Sequence, residues 1–196
     1  LVWTGPEYDI RDYRDYWATP EEKQNWMRDS WYDNPYLMAY EKINRRDNSK
    51  YNGMLNLTYE IKPWLKAIVR GGFDNIINST KRHAPIGINA TRDWGNTNKG
   101  YYNEKTEETF TANGDFILTA QGKIKKFTVD GLLGGSIYYY RNKYMDASTK
   151  NGITVPGFYS LKASVASPTI DSYLANKQVN SLYGKVTIGY DNAVYL

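Results

Sequence analysis

The side chains that could carry out catalysis or hold a metal ion are few, and their spacing fits neither task. His83 is the only histidine, and no strained, positioned serine accompanies it of the kind that a Ser-His-Asp triad needs. Asp9, Asp12 and Asp15 recur every three residues, whereas the first ligands of a calcium loop occupy alternate positions. The chain has no cysteine, which excludes disulfides, thiolate metal sites and cysteine nucleophiles. We therefore expect a protein that is not an enzyme and that holds no metal and no cofactor.

Aromatic side chains are the best candidates for binding. The chain has 19 Tyr and 6 Trp among 196 residues. Such rings stack on sugar faces or on peptide side chains, but they also pack loops together or against a second protein. The candidates, which lie on the side of the long loops in the strand pattern described next, are Trp17, Trp26, Trp31, Tyr32, Trp94, Tyr101, Tyr102 and Tyr159.

Alternation of apolar and polar side chains recurs along the rest of the chain and predicts antiparallel β-strands with two unlike faces. In the first such stretch Leu55 and Leu57 share one face, while Asn56 and Glu60 share the other. No run approaches the roughly 18 apolar residues that a membrane-spanning helix needs. The pattern therefore predicts an all-β fold with strands at 49–62, 64–77, 101–121, 126–144 and 179–190, and the start of another at 193–196.

The connections between these strands are strongly asymmetric. At one end the strands are joined by turns of a few residues, such as Lys62-Pro63-Trp64, and at the other end by much longer stretches. Short periplasmic turns and long extracellular loops are typical of an outer-membrane β-barrel. We therefore expect one partial barrel domain over 1–196, composed of an extracellular loop at 1–48, a hairpin at 49–77, an extracellular loop at 78–100, a hairpin at 101–144, an extracellular loop at 145–178 and the start of a hairpin at 179–196.

The first of these loops contains two further predicted elements. Thr19, followed by Pro20, has the features of a helix N-cap and predicts a short helix over about 20–30. Asn34-Pro35 would end that helix, and Tyr36–Ile43 then fits a short strand. We expect the whole segment to be a folded loop.

The polar face of the predicted strands carries charges that would be costly against lipid but stable in a water-filled interior. Trp64, Phe127 and Tyr190 lie beside the short turns, where an aromatic girdle would meet the membrane interface. The residues predicted to face the interior of the barrel are Glu60, Lys66, Arg70, Asp74, Asp115, Asp130 and Lys185.

Two other classes of protein fit parts of the pattern. A soluble carbohydrate-binding β-sandwich also alternates, although its loops are more often short at both ends. A passive porin-like channel would share the barrel. The net charge of +4 comes from scattered Lys and Arg without a basic stripe, which argues against nucleic acid as a partner.

Short motifs along nearly the whole chain are similar, in the same order, to those of one transporter family. They include Asp33-Asn34-Pro35-Tyr36, Leu57-Thr58-Tyr59-Glu60-Ile61, Arg70-Gly71-Gly72-Phe73-Asp74, Asn113-Gly114-Asp115-Phe116, Leu133-Gly134-Gly135-Ser136 and Val155-Pro156-Gly157-Phe158-Tyr159. On these motifs the chain resembles the SusC/RagA-type TonB-dependent outer-membrane transporters.

The resemblance implies a 22-stranded transmembrane barrel with an N-terminal plug, in the outer membrane of a Gram-negative bacterium. It implies import of oligosaccharides or peptides, with outer-membrane lipid, TonB and a SusD-like surface lipoprotein as partners. The plug, its TonB box and the remaining strands are not in this sequence. Because the sequence starts without Met and stops inside an apolar stretch, we expect it to be an internal piece of a longer polypeptide.

Overall fold

The computed structural model describes residues 5–27, 32–89 and 98–190, together with the backbone of 194–195. Most of these residues lie in β-strands. Among them, none of the helices combines the length and the apolar character required to cross a bilayer.

One antiparallel sheet of six strands dominates the fold, and the strands lie side by side in their order along the chain. Such a meander confirms the predicted all-β fold class. In chain order the strands are β3 (Ile43–Lys62), β4 (Leu65–Ile86), β5 (Lys99–Ile124), β6 (Phe127–Ile153), β7 (Ser164–Tyr190) and β8 (Val194–Tyr195), and they follow a small hairpin of β1 (Trp17–Thr19) and β2 (Lys23–Gln24).

The connections alternate between short and long, as the sequence indicates. Pro63-Trp64 joins β3 to β4, and Lys125-Lys126 joins β5 to β6, with Lys125 in the left-handed region (φ 55°). At the opposite ends the connections cover 87–98 and 154–163. The predicted turn at Asp191-Asn192 lies outside the described residues.

The predicted loops 78–100 and 145–178 are too long. β4 continues to Ile86, β6 continues to Ile153, and β7 already begins at Ser164. These strand ends lack a sustained apolar and polar alternation, and pairing with neighbouring strands holds them extended instead. Pro85 and Pro168 fall near strand ends, which a ladder tolerates better than its centre.

The predicted helix at 20–30 and the predicted strand at Tyr36–Ile43 are both wrong. Residues around Thr19 form the β1–β2 hairpin, whose turn places Glu21 at φ 56°. The helix is instead α1 (Pro35–Tyr40), because the Asn34 side chain caps it and Pro35 suits its first turn. Residues from Ile43 onwards already belong to β3.

The chain forms two compact units. Unit 1 comprises 1–48, 78–107 and 144–173, and unit 2 comprises 49–77, 108–143 and 174–196. In unit 1 the buried side chains of Leu37, Ala84 and Ile88 form a small core. Among the described residues of unit 2, by contrast, Ile117 is the one apolar side chain below a tenth exposure.

Candidate functional site

Unit 2 exposes one strongly apolar face. The ring of Phe73 lies over Gly53 and 6.5 Å from the ring of Phe110, which in turn lies 6.2 Å from Tyr139. These contacts place the apolar positions of β3, β4, β5 and β6 on the same side of the sheet, which we call the apolar face. Its large aliphatic and aromatic side chains include Leu55, Leu57, Val69, Phe116, Leu133, Ile137, Leu182 and Val186.

The exposure of this face distinguishes it from the core of a sandwich. Leu55, Leu57, Val69 and Leu133 are between 46% and 58% exposed, so no second layer of the described chain covers them. Contiguous apolar surface on this scale marks a protein or membrane contact and is rare on soluble monomers. The apolar face is therefore a surface that needs a partner.

The opposite face of unit 2, which we call the polar face, carries ion pairs between neighbouring strands. Lys66 Nζ lies 2.7 Å from Glu60 Oε1, and Arg70 Nη2 lies 3.3 Å from Asp115 Oδ2. Lys50 Nζ approaches Asp74 Oδ1 at 3.8 Å. A groove of about 490 Å³ on this part of the sheet is lined by residues that include Asn52, Asn56, Arg70, Asp74, Asn113 and Asp115.

The polar face also includes the other two charged residues predicted to face a wet interior. The hydrogen bond from Asn142 to Thr109 and the contact of Gly134 with the Tyr183 ring show which positions of β5, β6 and β7 share a side. By alternation, Asp130 and Lys185 lie on that side, and both are exposed. All seven predicted residues thus lie on one face; that this face lines a barrel interior stays a prediction.

Two aromatic rows bound the apolar face. The predicted row lies beside the short turns, where the rings of Phe127 and Tyr190 are 5.0 Å apart. The second row consists of Phe73, Phe110 and Tyr139, and the sequence analysis did not predict it. The sequence contains a signal for this row, because the next residue on the same side of the strand beyond each ring is polar.

Unit 1 carries a second candidate surface, built from aromatic rings of which Tyr40 is exposed and the others are half-buried. Tyr36 and Tyr40 lie one helical turn apart on α1 and stack at 6.3 Å. Tyr16 continues the series at 6.3 Å from Tyr40, and Trp17 lies 6.2 Å from Tyr16. The Tyr16 hydroxyl donates to Glu41 Oε1 at 2.9 Å, a hydrogen bond that raises the pKa of Tyr16. Of this series, only Trp17 was among the predicted candidates.

Most of the predicted aromatic candidates make packing contacts inside unit 1. Trp17 and Tyr101 pack against the small core, and Trp26 meets Tyr13 edge-on at 5.0 Å. Tyr102 is buried and donates to Glu104, and burial followed by that hydrogen bond raises its pKa to about 12. Tyr32 is 44% exposed. Their predicted role in ligand contact remains a prediction, and Trp31 and Trp94 lie outside the described residues.

The rings of His83 and Tyr159 stack in unit 1, with centroids 4.0 Å apart and planes 14° apart. Burial lowers the pKa of His83, so the neutral imidazole is favoured. Nearby, burial and then repulsion from the Glu41 carboxylate raise the pKa of Glu21. The Glu21 Oε2 atom is buried and has no hydrogen-bond partner among the described residues. Burial thus favours the uncharged forms of both His83 and Glu21.

A buried polar cluster holds the first segment of unit 1 in place. Gln24 Nε2 donates to Asp33 Oδ1 at 2.7 Å and to the Gly87 carbonyl at 3.1 Å. Asp33 Oδ1 also accepts from the Asn89 backbone N–H at 2.7 Å. Gln24 Oε1 accepts from the Asn34 N–H at 2.8 Å. The sequence marked Asp33-Asn34-Pro35-Tyr36 as a motif, but gave no sign that it formed this cluster.

Within the described ranges, no group of three or more His, Asp and Glu side chains is placed to hold a metal ion. The candidate sites that the described residues form are surfaces: the apolar and polar faces of unit 2, and the aromatic surface of unit 1.

The chain is similar in structure to three solved transporter structures. The RagAB peptide transporter matches with a TM-score of 0.68 and 16% sequence identity. The RagAB peptide importer matches in its closed-closed state (TM-score 0.66, 15% identity) and in its open-open state (0.63, 17%). Each match covers 83% of this chain but only 18% of the transporter chain. No protein-family model matches the chain, and neither does any curated protein.

At these identities the likeness establishes the fold alone. The antiparallel meander of the chain superposes on part of a much longer chain in each of these structures. The number of strands in a closed barrel, the cargo and the partners are matters for proposal.

Proposed function

We propose that this chain forms part of the barrel wall and outer loops of a TonB-dependent outer-membrane importer. The observation that carries the proposal is the pair of unlike faces in unit 2. Exposed apolar rows lie on one side of the sheet, and cross-strand ion pairs lie on the other. Acyl chains would cover the first face, and water or a plug would occupy the second.

The dimensions of the apolar rows support a bilayer contact. On β3 the row runs from Tyr51 to Ile61, about 33 Å along the strand at about 3.3 Å per residue. At a strand tilt of about 40° that length corresponds to a height of about 25 Å, the height of the outward apolar band of outer-membrane barrels. A sandwich core would instead require a second sheet to cover these side chains.

The cargo would be an oligosaccharide or a peptide. The similar structures are described as peptide importers, which favours a peptide. The aromatic surface around Tyr36 and Tyr40 suits either class, because rings stack on sugars and on apolar side chains alike. By the same resemblance, a SusD-like lipoprotein would cover the outer end, and TonB would energise uptake through a plug elsewhere in the polypeptide.

Uptake by cells that express the whole polypeptide tests this function. Labelled peptides and labelled oligosaccharides are supplied separately, with and without TonB and with and without an uncoupler. We expect one cargo class to accumulate only when TonB is present and the membrane is energised. Passive uptake that survives both treatments would support a porin instead. A polypeptide that fractionates with the soluble proteins would contradict the proposal.

A further inference from the structure

The outer boundary of the apolar face carries a band of polar side chains that the proposed transport does not use. We define this boundary belt as Glu108, Arg141, Asn176, Gln178 and Asn180, all in unit 2. We propose that the boundary belt binds the sugar headgroup of a glycolipid in the outer leaflet of the membrane. The inference rests on the proposed membrane location of the chain.

Arg141 is held in place from two sides. Its guanidinium carbon lies 5.7 Å from the centre of the Phe110 ring, and Nη2 lies 2.9 Å from Glu108 Oε1. The side chains of Arg141 and Glu108 are 40% and 28% exposed, so part of this pair stays accessible. Because Glu108 neutralises Arg141, the pair offers oriented hydrogen bonds with little net charge.

The neighbouring strand adds a row of carboxamides. Asn176, Gln178 and Asn180 occupy successive same-side positions of β7, and all three are exposed. The Tyr139 hydroxyl donates to Asn176 Oδ1 at 3.4 Å, which places the row on the apolar face. Gln178 Nε2 donates to Asn180 Oδ1 at 3.0 Å. The remaining amide groups present both donors and acceptors, which match the adjacent hydroxyls of a sugar.

The position of the belt identifies its ligand as a lipid headgroup. Along β7 the carboxamides come immediately before the apolar row that starts at Leu182, which is 82% exposed. Unpaired amides within acyl chains would be costly, so the belt must lie at the depth of the headgroups. Cargo inside the barrel would meet the polar face, from which the belt points away.

Lipid binding by the whole polypeptide, purified in detergent, tests the proposal. The probes are vesicles that contain an outer-membrane glycolipid and matched vesicles of phospholipid alone. For the double variant Asn176→Leu/Asn180→Leu we expect at least a tenfold loss of glycolipid affinity and unchanged phospholipid affinity. Asn52→Leu/Asn56→Leu, which alters amides near the groove of the polar face, is the matched control and should bind as the unaltered protein does.

A second measurement does not depend on the folding of the variants. A photocrosslinking residue replaces Gln178 or, as the control, Lys177 on the other side of β7, and the membranes are irradiated. Glycolipid adducts are expected at position 178 and not at 177. Equal adducts at both positions, or equal glycolipid affinity in both double variants, would overturn the proposal. A change of oligomeric state with unchanged glycolipid binding would also overturn it, because the belt would then be a protein contact. Failure of the unaltered polypeptide to reach the membrane would instead refute the proposed function.

Discussion

Replacement of Asn34 by alanine should loosen the first segment of unit 1. The Asn34 side chain is completely buried. Its Nδ2 atom donates to the carbonyls of Tyr13 (2.9 Å) and Asn25 (2.8 Å), and its Oδ1 atom accepts from the Tyr36 N–H (2.8 Å). A single side chain thus joins the 3₁₀ turn at Ile10–Tyr13, the exit of the β1–β2 hairpin and the start of α1.

The expected cost follows from those three hydrogen bonds. Loss of the cap at the start of α1 costs about 1 kcal/mol. Each of the two carbonyls that lose a buried partner adds about 1 kcal/mol at the low end of the usual range. A total of about 3 kcal/mol corresponds to roughly a 150-fold rise in the population of the opened segment.

Amide hydrogen exchange of the whole polypeptide in detergent measures that opening. For Asn34→Ala we expect the protected amides of α1, such as those of Met38 and Glu41, to exchange roughly 100-fold faster. Asn48→Ala is the control, because Asn48 donates to Asn78 at an exposed position, and its effect should stay within about 0.5 kcal/mol. Acceleration of less than threefold in Asn34→Ala would refute the reasoning.

Three further outcomes are expected. Gly134→Ala should lower the free energy of unfolding by about 1–2 kcal/mol in thermal melts, because its Cβ would lie 2.5 Å from the Tyr183 ring. A double-mutant cycle on Arg70 and Asp115 should give a coupling of about 0.2–1 kcal/mol that declines with salt. Burial raises the pKa of Glu21 above its ordinary 4.5. The contribution of Glu21 to stability is therefore full below pH 4.5 and is lost as the pH rises through the folded-state pKa. Proteolysis of unit 1 should accelerate over that pH rise in the unaltered protein but not in Glu21→Gln.

Each of these outcomes has a matched control. Gly122→Ala should leave stability unchanged, since no atom lies within 4 Å of its Cβ position. Equal melting of the Gly122 and Gly134 variants would contradict the packing argument. A coupling free energy above about 2 kcal/mol between Arg70 and Asp115 would show that the ion pair is shielded from water rather than solvent-exposed. Unchanged pH dependence in Glu21→Gln would mean that another group controls proteolysis.

The sequence predicted the strands of unit 2 because that unit has two chemically different faces. From Leu55 to Ile61 every second residue is apolar, and the pattern left no alternative to a strand. The polar and apolar faces followed directly from this alternation. The row of rings at Trp64, Phe127 and Tyr190 was predicted from its place beside the short turns, and its role as an aromatic girdle stays a prediction.

The same reasoning failed where alternation stops. The end of β4, around Lys81 and Pro85, is polar and carries a proline, so it looked like loop although it pairs in the sheet. In the first segment, the sequence around Thr19 fits a helix start locally, but long-range contacts of Gln24 with Asp33 and Gly87 fix a hairpin there. Contacts between residues so distant in sequence leave no local pattern to read.

Accessibility along β3 tests most directly whether the apolar face contacts lipid. The chain has no cysteine, so Leu57→Cys and Asn56→Cys can each carry a single spin label in the membrane-inserted polypeptide. Both positions are exposed in the chain itself, and any difference between them must come from their surroundings. We predict that dissolved oxygen, which concentrates in acyl chains, relaxes the label at position 57, whereas a water-soluble nickel complex relaxes the label at 56. Equal access of the nickel complex to both positions would contradict the account.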